Sequence, residues 1–141
     1  MTALALTLVG CAAPAPAPFT CSPPQLGPLP EWARAGFSPP DQDVQHVRGV
    51  AGTIVAVPFG WPLRAPQPEG RSNKILWVAE VSGGGPLKIR AGLADGTAVE
   101  REVAGGPGPS IIDLPRDGCW RFDLTWPGGH DTVELRYEPG A

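Results

Sequence analysis

The sequence predicts an all-β protein, an antiparallel β-sandwich of about seven to eight short strands. Three observations carry this expectation. Residues 120–126 alternate without a break, with Trp120, Phe122, Leu124 and Trp126 on one side and Arg121, Asp123 and Thr125 on the other. Successive side chains of a strand point to opposite faces, so this stretch has one buried and one wet face. Short apolar runs then recur at regular spacing, each closed by Gly, Pro, Asn or Asp turn signals, as in sandwiches and barrels. No stretch has the length and 3.6-residue period of a long helix.

Composition narrows the function classes. Charged residues are 18% of the 141 and the net charge is −3, which leaves no electrostatic footprint for nucleic acid or anionic lipid. Gly and Pro number 19 each, a share that can signal disorder. Here part of it sits in an N-terminal linker and the rest punctuates the apolar runs, as many tight turns require. Setting that N-terminal part aside leaves about 110 residues, enough for a modest single core.

The domain elements follow in order. Residues 31–37, with Trp32 and Phe37, suggest a helical turn stopped by Gly36 and Pro39, its aromatics plugging one end of the core. Strands are expected at 44–50 and 52–58, the second a continuous apolar run ended by Pro58-Phe59-Gly60-Trp61-Pro62. Residues 62–72 carry three prolines and read as a loop. At 73–81, Ile75, Trp77, Ala79 and Val81 alternate with Lys74, Leu76, Val78 and Glu80. Because Leu76 and Val78 make the second face partly apolar, this should be a central strand covered on both sides. A turn at 82–86 leads to a hairpin partner at 87–93. Asp95-Gly96 is a strong turn dipeptide, since Gly accepts positive φ. The polar strand 97–103 suits an edge, where charge discourages further pairing. A short strand at 110–114 precedes the 120–126 strand, and the last, 131–138, turns Val133, Leu135 and Tyr137 inward.

The N-terminus carries its own signal. Residues 3–9 are apolar, and Leu8-Val9-Gly10-Cys11 resembles a bacterial lipobox, with Leu three residues before the cysteine and small residues between. The run is too short to span a bilayer and matches the apolar region of a signal peptide, although no Lys or Arg precedes it. The resemblance implies that Cys11 receives lipid and becomes the mature N-terminus. The alternating Ala-Pro tract at 12–18 would be an extended tether, because proline fixes φ and removes donors. The expected organisation is a leader at 1–11, a tether and arm at 12–40, the sandwich at 41–138 and a tail at 139–141.

With Cys11 lipidated, Cys21 and Cys119 remain as an even pair in an oxidising compartment, where cysteines tend to bond. The alternative is two separate thiols. The order of Ser110-Ile111-Ile112-Asp113-Leu114-Pro115, then Gly118-Cys119-Trp120-Arg121-Phe122-Asp123-Leu124, hairpin and final strand resembles the Ig-like domains of small bacterial envelope lipoproteins. That resemblance covers roughly residues 40–138 and implies an Ig-like sandwich. Fold of this kind carries no activity by itself.

Candidate sites are few. The only histidines are His46 and His130, and Ser110 lacks a nucleophile-elbow pattern, so no catalytic constellation is visible. Asp41, Asp43, His46, His130 and Asp131 are the available metal ligands, but Asp41-Gln42-Asp43 lacks the glycine and distal glutamate of a calcium loop. Gly83-Gly84-Gly85 leads into a strand and not a helix, so it is no phosphate loop. Phe59, Trp61 and Trp32 are the candidate ligand-binding residues, with the competing role of capping the core. Trp77, Trp120 and Trp126 belong to the core itself. The expected function is a non-enzymatic, lipid-anchored envelope module that binds or supports another envelope protein and needs no cofactor. A cell-wall glycan module using Phe59 and Trp61 is the alternative, and a hydrolase a distant third.

Overall fold

The computed structural model describes residues 9–11 and 19–140. The apolar run as far as residue 8, the Ala-Pro tract at 12–18 and residue 141 lie outside the described residues. In chain order the strands are β1 (Gln25–Pro28), β2 (Asp43–Arg48), β3 (Ile54–Pro58), β4 (Leu63–Ala65), β5 (Lys74–Ala79), β6 (Leu87–Gly92), β7 (Ala98–Val103), β8 (Pro109–Ile111), β9 (Gly118–Trp126) and β10 (Gly129–Pro139). They form two five-stranded sheets, ordered β1-β2-β3-β5-β8 and β4-β10-β9-β6-β7. Every pairing is antiparallel except that of β4 with β10.

The β-sandwich class agrees with the sequence, but ten strands among the described residues replace the seven to eight expected. The additional ones are β1 and β4, of four and three residues. They are too short to display alternation, and nearby prolines disguise them as loop. Both lie at sheet edges, where a proline removes no ladder bond that the sheet needs. The polar strand β7 is the opposite edge of the second sheet, as its charges require. Its turn also forms as read: Gly96 has φ 94°, and Asp95 Oδ1 accepts from Thr97 N at 2.9 Å.

Between the sheets, Ile54, Ala56, Ile75 and Trp77 face Trp120, Phe122, Leu124, Val133, Leu135 and Tyr137. Trp77 of the first sheet meets Phe122 of the second with ring centroids 5.8 Å apart. The Tyr137 hydroxyl crosses the same gap and donates to Ile112 O at 2.7 Å. Burial holds that phenol far above its ordinary pKa, with the Asp113 charge adding and Arg101 opposing.

All five residues of β3 are buried, so this strand needs cover on its outer face as well. The arm supplies it. Leu29 and Ala33 pack on Val55 and Val57, joined by Trp32, Phe37, Val44, Leu76 and Val78. Trp32 and Phe37 therefore do not plug an end of the core; they roof the outer face of the first sheet. The Leu76–Val78 side of β5, read as partly apolar, is covered by this same layer.

One carboxylate closes the end of the sandwich where β10 begins. Asp131 is buried, and its carboxylate accepts from Ala51 N (2.8 Å), Thr53 N (2.9 Å), Thr53 Oγ1 (2.9 Å) and Thr132 N (2.7 Å). These bonds tie the β2–β3 turn to β10. A Cβ on Gly49 would overlap the carboxylate, so only glycine fits there. Burial pushes the Asp131 pKa up, but the hydrogen bonds from Ala51, Thr53 and Thr132 outweigh it and leave it below the usual value. A depressed folded-state pKa means stability that is present above the unfolded value near 3.9 and lost as pH falls through the folded value. Asp131→Asn is expected to cost about 2 kcal/mol at neutral pH, because an amide NH2 would face backbone donors. The cost should shrink as pH falls below about 4, where Asp131 of the unfolded parent chain takes up a proton first and the folded carboxylate follows at lower pH. Urea unfolding of both proteins between pH 3 and 7 checks this; a cost constant across that range would refute it.

Candidate functional site

Phe59-Gly60-Trp61-Pro62 carries the chain from one sheet to the other. β3 ends at Pro58 in the first sheet, and β4 starts at Leu63 on the edge of the second. Phe59 N still donates to Lys74 O at 2.9 Å, so the backbone leaves the first sheet only after Phe59. The chain returns through residues 66–73 to β5. These two crossings enclose an open depression of about 630 Å³ at the sandwich end where β10 finishes. Asp131 lies eight residues before Pro139 along β10, so the depression is roughly 27 Å from it at the usual strand rise.

Its walls combine aromatic and cationic groups. Phe59 is 59% exposed. Trp61 is half-buried, one side of its indole against the main core while the residue lines the depression. Arg64, Arg71 and Lys74 line it too, with the Lys74 ammonium 5.8 Å from the Phe59 ring centroid. Arg64 Nη1 donates to Pro139 O at 3.0 Å. Among the described residues, no carboxylate lines the depression and none of its three cations forms an ion pair.

The floor is fixed by Asn73, whose role the sequence did not disclose. Its buried amide accepts from Arg64 N (3.0 Å) and Gln67 Nε2 (2.6 Å) and donates to Arg64 O (2.8 Å) and Asp113 Oδ1 (3.0 Å). Asn73 N also donates to Asp113 Oδ1 at 2.8 Å, and Ile112 N to Asn73 O at 2.8 Å. One side chain thus holds β4, the returning loop and the segment after β8 in register. An asparagine opening a strand after a proline-rich loop was the available clue. Asn73→Ala would strand these partners; the expected loss is about 2 kcal/mol of stability, measurable by denaturant unfolding. No loss would mean that water replaces the amide.

The remaining sequence candidates lie elsewhere. Trp32 belongs to the arm that roofs the outer face of the first sheet, apart from Phe59 and Trp61. His46 is buried, its Nδ1 donating to Val44 O at 2.8 Å while Nε2 accepts from Arg48 Nε at 3.5 Å. The Ser110 hydroxyl accepts from Trp77 Nε1 at 3.0 Å and so serves the core. Asp131 is committed to its four donors. Among the described residues no three His, Cys, Asp or Glu side chains gather as a metal site.

Cys21 and Cys119 are joined in a disulfide, their Cα atoms 5.6 Å apart, and Cys11 is free and exposed. No protein family, known protein or solved structure matches this chain.

Proposed function

We propose that this protein is a lipid-anchored module of a bacterial envelope that binds a partner and catalyses no reaction. The observation that supports it is the division of labour among three cysteines. Two are consumed in a disulfide, and Cys11, in the lipobox-like sequence, stands exposed ahead of the arm. A disulfide that closes a long loop suits an oxidising compartment. Intact mass of the protein from the native host's membrane fraction, alkylated with and without prior reduction, tests the reading. A chain beginning at Cys11 with added acyl mass, alkylated only after reduction, is the expected result. An unlipidated chain retaining Met1, with three alkylatable thiols, would overturn it.

A second reading, glycan binding, is favoured by one specific observation: Phe59 and Trp61 line the same depression. Aromatic faces stack on the apolar faces of sugar rings while polar neighbours fix orientation. On this reading Trp61→Ala abolishes retention on cell-wall glycan, and a parent protein that is itself not retained removes the idea.

A further inference from the structure

We propose that the depression between β3, β4 and β5 takes an acidic saccharide: a sugar ring against Phe59, with its carboxylate or phosphate group between Arg71 and Lys74. The inference rests on the glycan reading and goes beyond it by naming the charge of the ligand. The whole chain carries a net charge of −3, yet this one depression gathers three cations and, among the described residues, no lining carboxylate. The contrast with the rest of the surface is informative. The depression on the outer face of the second sheet sets Lys88, Arg90 and Arg101 against Glu100, Glu102 and Asp123, and its charges largely cancel. The one beside the disulfide pairs Arg116 with Asp95. Among the described residues, cations elsewhere also lack an ion pair, Lys88, Arg101 and Arg136 among them, but each of these shares its depression with carboxylates; the depression beside Phe59 gathers its cations with no carboxylate in the lining.

The chemistry is specific. Guanidinium groups bind carboxylate and phosphate through paired N–H donors, and an ammonium adds a point charge. Lys74 already lies over the Phe59 ring, so an anion arriving there meets a cation held beside the aromatic surface. Arg64 is anchored to Pro139 O, which leaves Arg71 and Lys74 as the movable pair. Asn73 and Gln67 keep the floor rigid beneath them. A neutral sugar would engage the aromatic wall and leave both cations to water.

The test uses the full-length protein and titrates five probes at low and high salt: an oligogalacturonide, a phosphorylated mannan, a neutral chito-oligosaccharide, inorganic phosphate, and phosphatidylglycerol vesicles. Three proteins are compared: the parent, Phe59→Ala, and the double variant Arg71→Gln with Lys74→Gln. These residues are exposed or line the depression, and thermal unfolding confirms that each variant folds. The expected result is that one or both acidic saccharides bind at least about tenfold more tightly than the neutral one, with the advantage falling as salt screens it. Both variants should lose that binding. Equal binding of the neutral saccharide, unaffected by the double variant, would overturn the acidic ligand while leaving glycan recognition intact. Retention of no saccharide at all would end both. Binding to phosphate or vesicles that matches the saccharides and ignores Phe59→Ala would overturn the proposal in favour of a simple anion or lipid-surface site.

Discussion

Replacing Cys21 and Cys119 together by serine is expected to lower the unfolding free energy by about 4 kcal/mol. The bridge spans 98 residues of sequence, and cross-linking a loop of that size removes much of the unfolded chain's freedom. Its placement adds a folded-state effect. Trp120 and Phe122 point into the core, so Cys119 lies on the outer face of the second sheet. Residues 19–21 run over that face, and the Arg121 guanidinium lies 4.1 Å above the Phe19 ring. Four residues later the chain is paired in β1, on the edge of the first sheet, and then it roofs that sheet. The disulfide thus fastens a strap that passes around the sandwich. Urea unfolding of the double variant should show a lower midpoint and a larger m-value, because the uncrosslinked denatured chain expands. The comparison is best made in a Cys11→Ser background, since the exposed thiol of Cys11 would otherwise form dimers. A loss below about 1 kcal/mol, with m unchanged, would mean that β1 and the roof hold the strap without the bridge.

How far the sequence discloses this molecule depends on how each element is stabilised. β9 and β10 are legible because their alternation is long and one face is apolar, from Trp120 to Trp126 in β9 and from Val133 to Tyr137 in β10. β5 is legible as a covered central strand because Leu76 and Val78 break the polar side of its pattern. β1 and β4 are not: each is held by edge pairing and by the route of the chain, which leave no periodic mark in three or four residues. The roof of Trp32 and Phe37 escapes for a related reason. Apolar residues in an arm announce that they will be buried, not on which surface. At the candidate site the aromatics are visible as a loop cluster. The cations are not, because Arg64, Arg71 and Lys74 are scattered along the sequence and only the two crossings bring them to one depression. Asn73 and Asp131 are polar residues buried by their partners. Their importance lies in hydrogen bonds to segments 6 to 80 residues away, which local pattern does not encode.

Trp77→Ala is expected to cost about 4 kcal/mol, comparable with loss of the disulfide. The indole is almost wholly buried in the core and has three attachments. It fills the space between the sheets, it meets Phe122 across that space, and its Nε1 donates to Ser110 Oγ at 3.0 Å. Phe122 in turn packs on Tyr137 at 6.4 Å, so the three rings form a continuous aromatic row from β5 through β9 to β10. Deleting the first ring opens a cavity that the two sheets cannot readily close, because the ladders keep each sheet stiff while the other core side chains and the Tyr137–Ile112 hydrogen bond hold the sheets at their spacing. β8 suffers too, since only three residues pair it with β5 and Ser110 is the middle one. Two controls separate these contributions. Ser110→Ala removes the hydrogen bond alone and should cost about 1 kcal/mol, while Trp77→Phe keeps an aromatic contact and should fall between the two. Hydrogen exchange should show β8 amides opening first in Trp77→Ala, ahead of those in β9 and β10. A loss smaller than about 2 kcal/mol for Trp77→Ala would show that the sheets close over the missing indole, and the aromatic row would then be filling and not frame.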